Sequence, residues 1–188
     1  MPFTPLHFAY PWLLKWRFNS LNTLTLIVAS FVPDVENSIL MLMGIYPNRL
    51  VTHSLIGVFT IDPALAILIA YILTRINLES IGLPNLKPLT LNFNLITSAI
   101  VGALLHVSID TLHHEYNPIF WQMGPTYITG PLVVWFGPIQ AHLIIHLFSL
   151  LLLIYVLKKI LNERGERLSL LYKDPLKTIR LLIESINR

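Results

Sequence analysis

The chain contains no cysteine, so disulfides and thiolate metal sites are both excluded. It is also poor in charge. Asp, Glu, Lys and Arg make up 12% of residues, about half of what a soluble domain carries. There is no Gly-x-Ser-x-Gly and no phosphate-cradling Gly-rich loop, which leaves serine-hydrolase and nucleotide-hydrolase readings without support. The opening "MPFTPLHF" lacks the basic region and cleavage site of a signal peptide, so retention by the chain's own spans is expected. No repeat or low-complexity tract is apparent. From Thr111 to Leu157 no basic residue other than histidine occurs.

What fills the 188 residues is apolar: 54% are hydrophobic and the mean hydropathy is +0.65. A water-exposed surface this apolar would aggregate, so a membrane is the better solvent. After a short apolar start, "FTPLHFAYPWLL", four longer runs follow: "LNTLTLIVASFV" with a broken extension to Tyr46, "IGVFTIDPALAILIAYIL", "LITSAIVGALLHVSIDTL" and "LVVWFGPIQAHLIIHLFSLLLLIYVL". The last comfortably exceeds the roughly 20 residues needed to cross a bilayer core. The expectation is an all-α integral-membrane bundle of about four transmembrane helices with a short N-terminal helix. The membrane-embedded part is residues 1–157, and 158–188 is a basic amphipathic tail.

Charge orients the bundle. Lys15, Arg17, Arg75, Lys87, Lys158 and Lys159 fall at one set of segment ends, and Arg49 alone falls at the other. The excess of Lys and Arg marks the cytoplasmic side. The tail holds eight Lys or Arg against four acids, and the rest of the chain five against six. Such a tail, with Leu176, Ile179 and Ile183 at helical spacing, suits an anionic lipid leaflet better than nucleic acid. The partners expected are therefore membrane lipids. Nothing in the sequence specifies an oligomeric state.

Against this background "LLHVSIDTLHH" is anomalous, with His106, Asp110, His113 and His114 on an apolar helix. Taking about 100° per residue, Asp110, His113 and His114 fall within about 80° of His106, so all four share one face. Ionisable groups in a membrane helix are costly and usually functional. Imidazoles and carboxylates one turn apart form a donor set for a divalent metal. Counting from turns extends the set. His7 and Asp34 lie about equally far from a turn near Ser20-Leu21, and His53 and His114 about equally far from one near Pro84. If the segments alternate, His7, Asp34, His53 and the 106–114 group share one depth, on the side poor in Lys and Arg.

Five other residues have competing readings. Glu36 completes a metal shell or is an exposed acid. Asp62 precedes Pro63 and reads better as a helix N-cap than as a ligand. His142 and His146, four apart, bind metal or hydrogen-bond between helices. Arg49 meets an anionic substrate or snorkels to the interface.

The segments "MPFTPLHFA", "ASFVPDVEN", "RLVTHSLIG" and "LLHVSIDTLHHE" resemble, in order and spacing, a family of integral-membrane proteins grouped as membrane-bound metal-dependent hydrolases. Its pattern is an N-terminal His, Pro-Asp, Thr-His-Ser, and His-x-x-x-Asp followed by a His. The resemblance covers about the first two thirds of the chain and implies His7, Asp34, His53, His106, Asp110 and His114 as metal ligands. Helical geometry prefers His113 over His114, whereas the family's spacing selects His114. His142 and His146 lie outside the pattern.

The expected function is hydrolysis of a lipid or other membrane-associated ester, a phosphoester before a carboxylic ester. The cofactor is one or two divalent ions, zinc by donor type, with Asp34 or Asp110 available as general base. Arg49 would assist an anionic substrate. The competing readings are a non-catalytic protein with a structural His/Asp metal clip, and a transporter relaying protons or metal ions. A site towards the extracytoplasmic side follows from the charge asymmetry.

Overall fold

The computed structural model describes residues 4–46, 49–122 and 127–188. Among these the secondary structure is helical, with one isolated β-bridge between Asn117 and Ile128. A 3-10 turn, Thr4–Phe8, leads into α1 (Ala9–Arg17). Next come α2 (Thr23–Ala29) and α3 (Val32–Leu42), a second 3-10 turn (Val51–His53), α4 (Leu55–Phe59) and α5 (Ile61–Leu73). A third 3-10 turn, Leu78–Ile81, precedes α6 (Phe93–His113). The chain ends with α7 (Pro131–Phe136), α8 (Pro138–Asn162), α9 (Leu170–Lys173) and α10 (Pro175–Ile186).

At the centre is α2, all seven of whose residues are buried. Its start is fixed twice: the Asn22 side chain accepts from the Thr25 amide at 2.9 Å, and the Asn22 amide donates to Ser98 Oγ on α6 at 2.7 Å. Asn92 caps α6 in the same way, accepting from the Leu95 amide at 2.9 Å. Between α2 and α6 the backbones nearly touch, because Gly102 has no side chain. A Cβ there would lie 2.5 Å from the Leu26 carbonyl oxygen and 2.7 Å from Ala29 Cβ. Ala66, Ala70 and Ala99 extend this small-residue contact around Leu24, Val28 and Val32. In lipid, where the hydrophobic effect does not drive helices together, such close approach is what holds them. On the other flank Ala9, Trp12, Ile27, Val156 and Ile160 join α1, α2 and α8.

Three stretches are long and apolar enough to cross a membrane: Thr23–Leu42, made of α2 and α3, then α6 and α8. In α8 only 22% of the apolar window is buried, so most of that helix faces outward as a lipid-exposed span would. Among the described residues a fourth helix of membrane-crossing length is not present. The run "IGVFTIDPALAILIAYIL" breaks at Thr60 into α4 and α5, and α5 has 13 residues where a crossing needs about 20. The break also decides Asp62. Thr60 occupies the N-cap position and Asp62 already lies inside the first turn of α5, so the expected cap bond is not made. Asp62 is instead fully buried, and neither carboxylate oxygen has a hydrogen-bond partner among the described residues.

At the basic end, Lys15, Lys87 and Arg188 line one polar cavity of about 300 Å³ beside Asn22, and the Lys159 ammonium lies 3.7 Å from the centre of the Trp16 ring. The tail folds back onto this end. Asp174 caps α10 through the Lys177 amide at 2.9 Å, Arg164 pairs with Glu184 at 2.7 Å, and Leu182 and Ile186 join the core. Leu176 and Ile179 remain exposed.

Candidate metal centre

The site begins with a helix break. Pro33 has no N–H to donate, and the Asp34 amide donates to Phe31 at 3.1 Å instead of continuing the α-helical ladder to Ser30. The Ser30 carbonyl is thereby free to accept from His106 Nδ1 on α6 at 2.8 Å. Because a carbonyl only accepts, this bond puts a proton on His106 Nδ1 and turns Nε2 inward. Nε2 lies 3.7 Å from Asp34 Oδ1 and 3.4 Å from Asp110 Oδ2.

His53 arrives from a different direction, on the 3-10 turn before α4. Glu36, on α3, holds that turn in place. Its carboxylate accepts from the amides of Leu50, Val51 and Thr52 at 2.9, 3.1 and 3.2 Å, and from Thr52 Oγ1 at 2.8 Å. Glu36 Oε2 is also 3.7 Å from His53 Nδ1, while His53 Nε2 points the other way, 3.6 Å from Asp110 Oδ2. Gly57 lets α4 begin directly against this turn, since a Cβ would collide with the Val51 carbonyl. A carboxylate behind a histidine orients the ring and raises its basicity as a ligand. Glu36→Gln is therefore expected to weaken metal binding by about 10–100-fold while leaving every inward-facing donor present. Competition against a chelator of known affinity measures this.

Asp34, His53, His106 and Asp110 each present one donor atom within 4.8 Å of the others, and none of the four is more than 3% exposed. His7, from the first 3-10 turn, stacks on His106 with ring centres 4.4 Å apart, and its Nε2 is 3.9 Å from Asp110 Oδ1. Burial lowers the His7 pKa to about 3 and also lowers that of His53, although Glu36 and Asp110 oppose the shift in His53. Both rings are thus neutral, the form that binds metal. Neither nitrogen of His7, nor Nε2 of His53 or His106, has a hydrogen-bond partner among the described residues. Each such buried group costs about 1–3 kcal/mol when left unmet. One divalent ion held by Asp34, His53, His106 and Asp110 would satisfy Nε2 of both His53 and His106, so the residues fit the cofactor that the sequence suggests.

Arg49 is buried, not snorkelling. Its Nη2 lies 2.9 Å from Asp110 Oδ2 and 2.7 Å from His114 Nε2, and Nη1 has no hydrogen-bond partner among the described residues. His114 sits at the C-cap of α6 with extended backbone. It reaches Asp110 Oδ1 only at 3.8 Å and groups instead with His113 and His142. His146 donates from Nδ1 to the His142 carbonyl at 2.6 Å and joins neither group; nor do Glu36 and Asp62.

The chain belongs to the family described as a domain of unknown function, DUF4184, whose model matches residues 1–183. No curated protein and no solved structure matches it.

Proposed function

We propose that this protein is a membrane-embedded, metal-dependent hydrolase acting on a lipid phosphoester. The observation that carries the reading is the convergence of Asp34, His53, His106 and Asp110 within 4.8 Å, from three separate segments, inside a bundle with membrane-length helices. Imidazoles with carboxylates are a zinc-type donor set. A bound divalent ion would lower the pKa of water towards ~7 and polarise the phosphoryl oxygen.

The chain's own groups supply the rest. His53 and His106 are held as inward-facing donors by Glu36 and the Ser30 carbonyl. Asp34 or Asp110, whichever is left off the metal, takes the proton from the attacking water. Arg49 brings a fixed positive charge beside the group, and its Nη1, without a hydrogen-bond partner among the described residues, is a donor suited to a phosphoryl oxygen. That donor favours a phosphoester over a neutral ester. The basic cluster of Lys15, Lys87 and Arg188 belongs to the cytoplasmic side by the positive-inside rule, which puts the His/Asp group towards the opposite face.

The near-complete burial of all four donors favours a second reading, a structural metal clip, in which the ion is fully enclosed. One experiment separates the two. The full chain, purified in detergent and loaded with zinc, is tested for release of phosphate or headgroup from a panel of phospholipids. Hydrolysis that disappears with a chelator and returns with zinc supports the enzyme. Stoichiometric metal with no turnover on any phosphoester supports the clip.

A further inference from the structure

A second set of imidazoles lies beside the first and uses different side chains. His113 is the last residue of α6, His114 follows it, and His142 comes from the second turn of α8. Their ring centres are 4.0 Å apart for His113 and His114, 4.7 Å for His114 and His142, and 5.1 Å for His113 and His142. One nitrogen of each lies within 4.8 Å of the others.

The hydrogen bonding shows why these rings are more than packing. His113 Nδ1 donates to the Ile109 carbonyl at 2.9 Å, which fixes its proton there and leaves Nε2 as a lone pair. His113 is fully buried, yet Nε2 has no hydrogen-bond partner among the described residues, and neither has Nδ1 of His142. A lone pair on His113 and the Nδ1 nitrogen of the half-buried His142 thus face the third ring. The helix that carries His142 is anchored: Tyr10 and Ser149 share a hydrogen bond of 2.5 Å, and Ile145 packs with Tyr10 and Ile109. The convergence is built into the α6–α8 contact.

We infer that His113, His114 and His142 form a second divalent-metal site, of three neutral imidazoles with an open fourth position. Asp110 stands between the two centres. Its Oδ2 faces His53 and His106, and its Oδ1 faces His114 and His7. It is thus a carboxylate placed to lend negative charge to the all-histidine centre. Arg49 opposes loading. Its Nη2 donates to His114 Nε2, so that nitrogen is an acceptor and the His114 proton is on Nδ1. Metal at Nε2 displaces the guanidinium directly. Metal at Nδ1 moves the proton to Nε2, where it points at the Arg49 donor. Either way the Arg49–His114 bond and the second ion exclude each other, and loading releases Arg49.

The test is zinc stoichiometry and cobalt(II) absorption on the full chain in detergent, with thermal melting to confirm that each variant folds. The wild type is expected to bind two ions, and His142→Ala one. Asp34→Asn is expected to keep the histidine-only cobalt spectrum. Arg49→Met is expected to raise affinity at the second site about tenfold, the equivalent of one charge-assisted hydrogen bond. A wild type whose single ion is lost in His106→Ala and kept in His142→Ala, or a His142→Ala that still holds two, overturns the second site and leaves the hydrolase reading standing. Metal lost in His142→Ala but retained in His106→Ala overturns the first centre and leaves this one. Unchanged affinity in Arg49→Met overturns the competition.

Discussion

Asp110→Ala is expected to abolish metal at the first centre and to destabilise the metal-free protein by about 3–5 kcal/mol, the range found when one partner of a buried ion pair is removed. Both effects come from one position. Asp110 Oδ2 lies within 3.6 Å of His53 and His106 and 2.9 Å from Arg49, and the side chain is almost wholly buried. Removing it strands the Arg49 guanidinium, 5% exposed, beside neutral rings. The two effects separate in a double-mutant cycle. Arg49→Leu added to Asp110→Ala removes the stranded charge, so the melting temperature recovers most of the loss while metal binding does not return. Recovery of neither quantity would mean that Asp110 acts through packing alone.

Gly102→Val carries the second large effect, and it acts through shape. Even a first side-chain carbon would sit 2.5 Å from the Leu26 backbone oxygen, and backbone cannot rotate away. Overpacking of this kind costs about 1–3 kcal/mol and often more when a helix must move. The helix that moves is α2, which leads directly into the break that presents the Ser30 carbonyl to His106 and Asp34 to the centre. Metal affinity should therefore fall together with the melting temperature. Ile96→Ala, on the exposed side of the same helix, should change neither by a measurable amount. If Gly102→Val melts like the wild type, α2 and α6 are not held at the distance described.

Some of the convergence along the helices could be read from the chain, and lateral position could not. Residue counts from two turns place His7, Asp34, His53 and the 106–114 group at a common level; the structure brings His7, Asp34, His53 and His106 around Asp110, while His114 groups with His113 and His142. The same counts are silent on which helices are neighbours, so the meeting of His142 with His113 had no signal beyond the presence of two histidines four apart. His114 shows a different limit. Its helical offset of about 80° from His106 applies only while the backbone is helical, and at the C-cap it is extended, which turns the ring towards His113 and Arg49. Glu36 could be seen to follow Asp34 closely, but its work is done on amides 14 to 16 residues ahead, and only the folded loop reveals it. The short α5 has a plain cause. The run is interrupted in sequence by Asp62-Pro63, and the backbone leaves the helix just before them, at Thr60.

The interruption between α2 and α3 is a defect if the first span is regarded only as a membrane crossing. A continuous helix would satisfy all its own carbonyls and sit in lipid at lower free energy. The chain instead gives up one rung of the ladder, at Ser30, and spends the liberated oxygen on another helix's imidazole. That choice makes the crossing and the donor set inseparable. A variant that straightened the α2–α3 junction would take the Ser30 carbonyl away from His106 and so disturb the donor set from within the crossing itself.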